Sequence, residues 1–278
     1  ERPGPGAEEA PAGVEAPEVF AVARSETIGG APREWIGTFE GGLYVRAAAG
    51  DGAGARFERF APPGFDASRI RDLRVVRDGG REVLWIASYG SGVYRWDGRL
   101  AHDRAGDGGL PSNLAYEFAE ARPGGVPEVW VATKAGLVRW RGGRRATYDR
   151  DSALLRDSLR SVHRWRSPDG VEVLWLGSEE GVGRALVNED AFHVVSTLGA
   201  SGNGVWSIMV DARDGREHLW LAAAFDGVQR YAAGRWPAWP QTRRSIGSNV
   251  GGRLVKRLVG ADGAPEVVAG SWGGALFR

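Results

Sequence analysis

The sequence has no cysteine, only two lysines and almost no net charge, and each shortage excludes a class of protein. Its 278 residues carry a formal net charge of +1, and all but two of the 36 basic residues are arginine. Without cysteine the chain can form neither a disulfide framework nor a zinc–cysteine site. Balanced charge argues against a nucleic-acid partner, whose binding surface would be strongly basic. No apolar run approaches the roughly 18 residues of a membrane-spanning helix, so no membrane segment is expected in this chain.

Glycine and tryptophan are abundant instead, with 43 and 12 residues. The glycines follow no three-residue period, which excludes collagen. Hydrophobic residues make up 42% of the chain, enough to bury a sizeable core, so most of the chain is not disordered. Many tight turns between apolar segments are typical of many short β-strands.

A motif of the type Trp-Ile-Gly-Thr recurs along the chain and defines a repeat. Five copies begin with a tryptophan and the sixth with a valine, namely Trp35, Trp85, Trp130, Trp175, Trp220 and Val267. Successive anchors are 50, 45, 45, 45 and 47 residues apart. A glycine follows each anchor after six or seven residues, and an arginine follows that glycine after three or four. Such self-similarity predicts a repeat architecture.

Each copy contains four strand-like runs separated by glycine-rich turns. In the second copy they cover residues 70–76, 83–87, 93–96 and 99–102. Four short antiparallel strands in about 45 residues, repeated six times, predict an all-β fold, a six-bladed β-propeller. The anchors would pack between neighbouring blades, because one blade cannot bury its own faces.

A glutamate precedes each anchor by one to three residues, and the sequence predicts that it pairs with the repeat arginine across the hairpin. Paired residues of an antiparallel hairpin have a constant index sum, so the turn fixes the pairing. The pairs expected are Glu34 with Arg46, Glu82 with Arg95, Glu128 with Arg139, Glu172 with Arg184, Glu217 with Arg230, and Glu266 with Arg278. A structural role is favoured over a catalytic one for these carboxylates.

The two ends of the chain differ from the repeats. Residues 1–16 are rich in Pro, Gly, Ala and Glu and are expected to form a flexible N-terminal segment, so that the propeller covers 17–278. The last copy has three strand-like runs and no fourth, and residues 13–15 are a weak candidate to complete it. Either the last blade is three-stranded or the native ring has more blades. An incomplete blade leaves an exposed edge at which a second copy could pair to form a dimer.

The third copy contains the stretches Gly109-Leu110-Pro111-Ser112-Asn113-Leu114, Glu128-Val129-Trp130-Val131-Ala132-Thr133 and Ala135-Gly136-Leu137-Val138-Arg139-Trp140. Together they resemble the two-component regulator propeller repeat. The resemblance covers about residues 17–278. It implies a β-propeller that serves as an extracytoplasmic input domain, ahead of a membrane helix and a cytoplasmic output domain. The chain departs from that family in having six copies where seven-bladed rings are usual, and in having no output module. The resemblance therefore implies a periplasmic or extracellular location, as part of a longer, membrane-anchored protein.

No catalytic constellation is apparent in the sequence, and no cofactor or metal is expected. The four histidines lie in different repeats without the spacing of a metal pair. A runner-up interpretation is an enzyme that resembles the streptogramin lyases, because Val182-Gly183-Arg184 matches one part of their repeat. The Trp-Phe-Thr-Glu part of that repeat is absent from every copy, so a non-enzymatic protein is favoured.

A binding site would lie where the loops entering each first strand meet the loops joining second and third strands. These loops vary between copies while the flanking strands keep the repeat, as expected of a binding surface on a fixed scaffold. The residues predicted to bind a ligand at this channel mouth are Arg69, Tyr89, Asn113, Lys134, Arg160, Glu179, Trp206, Phe225, Asn249 and Trp272. Aromatic, arginine and asparagine side chains suit a small ligand, a glycan or a protein partner. The sequence thus predicts a non-catalytic sensor or recognition domain, with a protein-docking scaffold as the alternative.

Overall fold

The computed structural model describes most of the chain. The described residues are 11–15, 18–48, 56–106, 108–149, 158–167, 170–187, 191–196, 204–211, 218–223, 227–232, 252–259, 265–271 and 276–277. Backbone contacts divide the chain into two compact units, Glu1–Ala115 and Tyr116–Arg278. In the described part, no helix is long and apolar enough to span a membrane.

The first unit contains two four-stranded sheets. One sheet consists of β1 (Val19–Ser25), β2 (Arg33–Thr38), β3 (Leu43–Ala47) and β4 (Glu58–Arg59). The other consists of β5 (Ile70–Asp78), β6 (Arg81–Ser88), β7 (Gly92–Trp96) and β8 (Leu100–Asp103). A 3-10 turn, Ile28–Gly30, links β1 and β2. Neighbouring strands in both sheets are antiparallel and consecutive, as the sequence predicted.

In the second unit, the described strands form two four-stranded and two three-stranded sheets. The four-stranded sheets contain β9 (Ala115–Ala121), β10 (Glu128–Thr133), β11 (Gly136–Arg141) and β12 (Arg144–Tyr148), then β13 (Leu159–Arg166), β14 (Glu172–Ser178), β15 (Gly181–Leu186) and β16 (Ala191–Ser196). The three-stranded sheets contain β17 (Val205–Asp211), β18 (His218–Ala223) and β19 (Gly227–Ala232), then β20 (Gly252–Val259), β21 (Pro265–Ser271) and β22 (Leu276–Phe277). A 3-10 turn, Pro123–Gly125, follows β9. Strand β9 begins at the last residue of the first unit.

The described part of the last sheet has the three strands that the sequence predicted. Residues 13–15, a weak strand candidate, lie in and just after a turn instead of in a strand. Val14 is buried there in a cluster with Ile36, Tyr44 and Phe57 of the first sheet. The backbone N–H of Phe57 donates to the carbonyl of Ala12 at 2.9 Å. This part of the N-terminal segment is therefore packed onto the first sheet.

Four of the tryptophan anchors pack against the sheet that follows their own, as predicted for them. Trp35 is buried in one cluster with Ile70 and Leu84 of the second sheet. Trp130 is buried with Leu159 of the sheet that follows. The other clusters place Trp175 against Ile208 and Trp220 against Val255. In these four copies the core is therefore completed by the next sheet, as expected of a repeat protein.

The glycine that follows each anchor is required by the turn between second and third strands. Gly92 and Gly136 adopt φ angles of 82° and 126°, which side chains resist. A Cβ atom on Gly136 would also collide with the backbone carbonyl of Tyr148. The repeat keeps glycine here because both conformation and space demand it.

The predicted glutamate–arginine pairing is confirmed only in the first copy. Glu34 lies opposite Arg46 in the β2–β3 ladder, and Arg46 Nε donates to Glu34 Oε2 at 2.6 Å. The pairs of Glu217 and Glu266 lie outside the described side chains.

In the next three copies the predicted pairing is wrong. Glu82 lies opposite Arg77, and Glu128 opposite Arg141. Glu172 lies opposite Arg166 and also accepts a hydrogen bond from Arg164 at 2.5 Å. The reason is the register of the hairpin, because its turn centres later in the chain than the index-sum argument assumed.

In the second to fifth copies, the repeat arginine lies opposite the tryptophan anchor and stacks on it. The cross-strand pairs are Trp85 with Arg95, Trp130 with Arg139, Trp175 with Arg184 and Trp220 with Arg230. In each pair the guanidinium carbon lies 5.2–5.9 Å from the indole centroid. The recurring arginine is therefore a cation–π partner of the anchor, worth about 0.5–1 kcal/mol at an exposed site.

Candidate functional site

Where they are described, the loops chosen from the sequence lie at one end of their sheets. In five sheets the start of the first strand is in register with the end of the second strand, for example Ile70 with Ser88 and Leu159 with Ser178. The loop entering the first strand and the loop leaving the second strand are therefore neighbours. An isolated bridge between Phe39 and Arg69 also joins the loop that leaves β2 to the loop that enters β5 of the next sheet.

A β-bulge at the start of the first strand is a repeated feature of this end. The register shifts within β1, β5, β13, β17 and β20. The residue inside each shift is Phe20, Arg71, Arg160, Trp206 and Arg253, respectively. A bulge leaves one residue without a cross-strand partner and re-aims its side chain. The fold thus repeatedly releases one side chain from the ladder at the predicted binding end.

In the first unit, three aromatic rings and two arginines gather at this end. The rings of Phe20 and Phe39 stack with centroids 5.2 Å apart, and that of Tyr89 lies 6.3 Å from Phe39. Arg71 lies over Phe20 at 4.8 Å, and Arg69 over Phe39 at 5.3 Å. This group, called here the phenylalanine cluster, offers half-buried rings beside positive charge.

Arg69 and Tyr89 are thus brought together as the sequence predicted, whereas Asn113 has a different role. Arg69 is exposed and lies 3.9 Å from the exposed carboxylate of Glu40. The side-chain oxygen of Asn113 accepts a hydrogen bond from the backbone N–H of Ala105 at 2.7 Å. The backbone carbonyl of Asn113 accepts from the N–H of Gly90 and that of Gly92. Asn113 therefore holds one loop against another.

In the second unit, Arg160 is the centre of a group called here the Arg160 cluster. Its guanidinium carbon lies 4.6 Å from the ring centroid of Tyr116 and 5.0 Å from that of Trp206. One terminal nitrogen of Arg160 donates to the hydroxyl of Tyr116, and the other donates to the carboxylate of Glu179. The structure thereby joins three of the predicted residues, Arg160, Glu179 and Trp206, and adds Tyr116.

The remaining predicted residues are not placed in either cluster. Lys134 is exposed in the turn between β10 and β11, and the contacts described for the second unit do not bring it to Arg160. Phe225, Asn249 and Trp272 lie outside the described residues.

Sequence reasoning missed Phe20, Arg71 and Tyr116 as site residues. Each lies fourteen or fifteen residues before its tryptophan anchor, as Arg160 and Trp206 do. This constant offset was a usable signal. Aromatic and arginine residues at the start of a strand are, however, also typical of ordinary strand residues.

The first strands of the second unit approach one another closely. Glu117, in β9, accepts a hydrogen bond from the backbone N–H of Val162 in β13 at 3.1 Å. The same carboxylate lies 3.4 Å from the ammonium of Lys256 in β20. The first strands of three sheets therefore converge, as the innermost strands of propeller blades do.

A cluster of polar side chains lies in the first unit, between the second sheet and the loop that precedes it. The Tyr94 hydroxyl donates to the carboxylate of Asp66, and this bond lowers the pKa of Asp66. Burial and the same bond raise the pKa of Tyr94 to about 12. The ring of His102 stacks on Tyr94 at 3.8 Å, and Arg104 Nη2 lies 2.9 Å from His102 Nδ1. These contacts fasten the loop to the sheet.

Comparison with known proteins identifies the class of fold. No protein-family model matches the sequence, and no curated protein matches it. Two solved structures of the extracellular domain of BT4673 from B. thetaiotaomicron are similar, with TM-scores of 0.63 and 0.62, each at 16% identity. They match 97% and 94% of this chain, and that protein is described as a one component system in the first and as a hybrid two component system in the second.

This chain spans about a third of those BT4673 structures, 34% and 31% of their length. A third similar structure is BBS1N in complex with ARL6DN, with a TM-score of 0.51 and 14% identity over 76% of this chain and 66% of that one. At such identities the likeness establishes the fold alone. The chain is an all-β protein of repeated antiparallel sheets with the fold of these domains.

Proposed function

We propose that this chain is a non-catalytic sensor domain, the extracytoplasmic input domain of a bacterial signal-transduction protein. Its six sheets are the blades of a six-bladed β-propeller, in which the first strands line the axis. The regular anchor spacing and the convergence of β9, β13 and β20 support this arrangement. The similarity to extracellular domains of a protein named as a one or two component system supports the sensor role.

The observation that carries the proposal is the pair of aromatic–arginine clusters. Tyr89 and Trp206 are half-buried, and Arg69 is exposed, at the ends of sheets whose strands are otherwise regular. Binding sites are typically apolar or aromatic surfaces with a few charged groups that fix orientation. The second strands beside these clusters repeat from copy to copy, so the loops can vary without disturbing the core. This combination suits recognition of a ligand or partner and assigns no residue a catalytic role.

The proposed location is periplasmic or extracellular, within a longer protein. The similar BT4673 domains are described as extracellular, and this chain matches only about a third of their length. A complete input region of that kind would contain further repeats or a further domain.

A protein-docking scaffold is the second candidate function. It is favoured by the third similar structure, because BBS1N was solved in complex with another protein, ARL6DN. Under this alternative the exposed arginines and aromatic rings would contact a protein surface instead of a small ligand.

The test compares two arginines at opposite ends of the first unit's second sheet. Arg69 precedes β5 at the proposed binding end, and Arg81 is the first residue of β6, at the far end of the same sheet. The wild-type chain is screened by thermal shift against amino acids, organic acids and oligosaccharides, and by pull-down against proteins of the source cell. Every hit is then titrated against Arg69→Ala and Arg81→Ala.

A small-molecule hit that is weakened by Arg69→Ala, but not by Arg81→Ala, supports the sensor proposal. A protein hit with the same dependence, and no small-molecule hit, supports docking instead. Hits weakened only by Arg81→Ala would show that the binding end has been wrongly assigned. Turnover of a bound small molecule would refute the non-catalytic assignment.

A further inference from the structure

The bulge positions follow a pattern that the repeat alone does not require. Five sheets have a bulge residue here, and Tyr116 in β9 has the same offset from its anchor. In chain order the six residues are Phe20, Arg71, Tyr116, Arg160, Trp206 and Arg253, so that aromatic and arginine residues alternate. Where side chains are described, the arginines contact the aromatic rings within the same unit. Arg71 lies over Phe20 in the first unit, and Arg160 lies over both Tyr116 and Trp206 in the second.

Arg160 is tightly constrained by its contacts. Its side chain is only 14% exposed, because two rings lie within 5.0 Å of the guanidinium carbon. Hydrogen bonds to Tyr116 and Glu179 fix both terminal nitrogens. The Nε atom is buried and has no hydrogen-bond partner in the described structure. A guanidinium held in this way is preorganised, so little entropy is lost when it binds an anion.

The anion that it holds now is a carboxylate of the chain itself. Glu179 lies in the turn between β14 and β15, and its side chain is 46% exposed. An ion pair with such an exposed carboxylate contributes little to stability. A carboxylate from solution could therefore take the place of Glu179 at modest cost. The displaced side chain would be hydrated at the surface.

We propose that Arg160 is the anchor of a binding site for a small planar carboxylate, and that Glu179 occupies this site in the free protein. The carboxylate of the ligand forms an ion pair with the Arg160 guanidinium, and the planar face of the ligand lies against the ring of Trp206. Glu179 thus acts as an internal competitor that weakens binding. This inference rests on the proposed recognition function and names the ligand class of the same end of the fold.

The test uses benzoate as the probe and benzamide as its neutral counterpart. Affinities are measured by isothermal titration calorimetry for the wild-type chain and for Glu179→Gln, Glu180→Gln and Arg160→Gln. Glu180 is the matched control, because it lies next to Glu179 in the same turn and its replacement changes the net charge equally. Since Glu179 is half exposed, the Glu179→Gln chain should fold as the wild type does.

Removing the competitor should tighten benzoate binding about three- to fivefold, as expected from loss of an exposed ion pair. Glu180→Gln should leave the affinity within about 1.5-fold, since its charge is screened by solvent. Arg160→Gln should weaken benzoate about tenfold or more, because charge-assisted fork contacts are lost. Benzamide affinity should not respond to Glu179→Gln.

Equal benzoate affinities in Glu179→Gln and Glu180→Gln would overturn the competitor assignment. Failure of the Glu179→Gln chain to bind benzoate would overturn the carboxylate site, even if Arg160→Gln cannot be folded. The recognition function would survive either result if a neutral ligand still required Arg69. The two proposals can therefore fail separately.

Discussion

Replacing Glu82 with glutamine is expected to lower the free energy of unfolding by about 2 kcal/mol. The Glu82 side chain is only 3% exposed, although it is a carboxylate. One of its oxygens accepts hydrogen bonds from the backbone N–H groups of Glu26 and Thr27, at 2.7 and 2.8 Å, and from the Thr27 hydroxyl at 3.2 Å. The other oxygen accepts from Arg77 Nε at 2.9 Å. Glu82, in the second sheet, thereby fixes the turn that follows β1 in the first.

The size of the effect follows from the donors that glutamine cannot satisfy. Its single oxygen can replace the carboxylate oxygen that faces Glu26 and Thr27. Its NH₂ group must then face the guanidinium of Arg77, where a donor meets a donor. One charge-assisted hydrogen bond is lost and the others are weakened, and each bond to a charged group is worth about 1.5–3 kcal/mol.

The contribution of Glu82 should also depend on pH. Burial disfavours its charged form, but the hydrogen bonds from Thr27, Arg77 and Glu26 outweigh burial and lower its pKa. A lowered folded-state pKa means that the stabilisation is fully present above the unfolded carboxyl's pKa, about 4.3, and is lost as pH falls through the folded value. The difference between wild type and Glu82→Gln should therefore shrink in acid.

Urea unfolding followed by tryptophan fluorescence, at neutral pH and at steps below about pH 4.5, measures both effects. The control is Glu34→Gln, since Glu34 is 32% exposed and its ion pair with Arg46 should contribute only about 0–1 kcal/mol. Equal losses in the two variants would refute the reasoning. A wild-type advantage that grows in acid would also refute it.

Three further changes test the packing. Gly177→Ala should lower the free energy of unfolding in urea by about 1–3 kcal/mol, because its Cβ would lie 2.9 Å from a backbone carbonyl of the next sheet. Gly183→Ala should be nearly neutral, because the atom nearest to its Cβ would lie 3.7 Å away. Arg139→Gln should cost about 0.5–1 kcal/mol in the same assay, since the guanidinium over Trp130 is lost. Tyr94→Phe should remove one late-titrating phenol from an alkaline spectrophotometric titration, because the pKa of Tyr94 is raised to about 12.

The strands were predictable because the chain contains several copies of the same local sequence pattern. The anchors, the glycine after each anchor and the turn residues recur at fixed offsets, so each copy supports the others. In the second copy, the expected runs 70–76 and 83–87 lie within β5 and β6. Blade number and ring closure depend on how sheets assemble, and a repeat count does not fix them.

The wrong glutamate–arginine pairs show where such reasoning fails. A hairpin's pairing depends on the centre of its turn, and an error of one residue changes every partner. The β6–β7 hairpin centres on Gly90, so Arg95 faces Trp85. In the first copy, Arg46 follows the residue opposite the anchor, and there the ion pair with Glu34 does form. In both hairpins the turn centres five residues after the anchor, but Arg46 follows Trp35 by eleven residues and Arg95 follows Trp85 by ten. The offset of the arginine from the anchor therefore decides whether it meets a carboxylate or a ring.

The missed site residues Phe20, Arg71 and Tyr116 all lie in strands, although Arg160 and Trp206, which also lie in strands, were found. Arg69 and Tyr89 stand in irregular loops, which drew attention to their side chains. Tyr116 lies inside a strand by sequence, and Arg71 looks like one more arginine of a half-buried strand. Only the register shift shows that the position of Arg71 has left the ladder.

The bulge also explains how one repeat can conserve its fold and still vary its chemistry. A paired strand residue is constrained by its cross-strand partner and by the neighbouring sheet, and the tryptophan anchors keep their identity for that reason. A bulged residue has no cross-strand partner, so Phe20, Arg160 and Trp206 can occupy the same position in different copies. These positions lie on rigid strands, so their side chains are held more precisely than those of loop tips. Recognition is therefore expected to depend on the bulge residues first and on the exposed loops second.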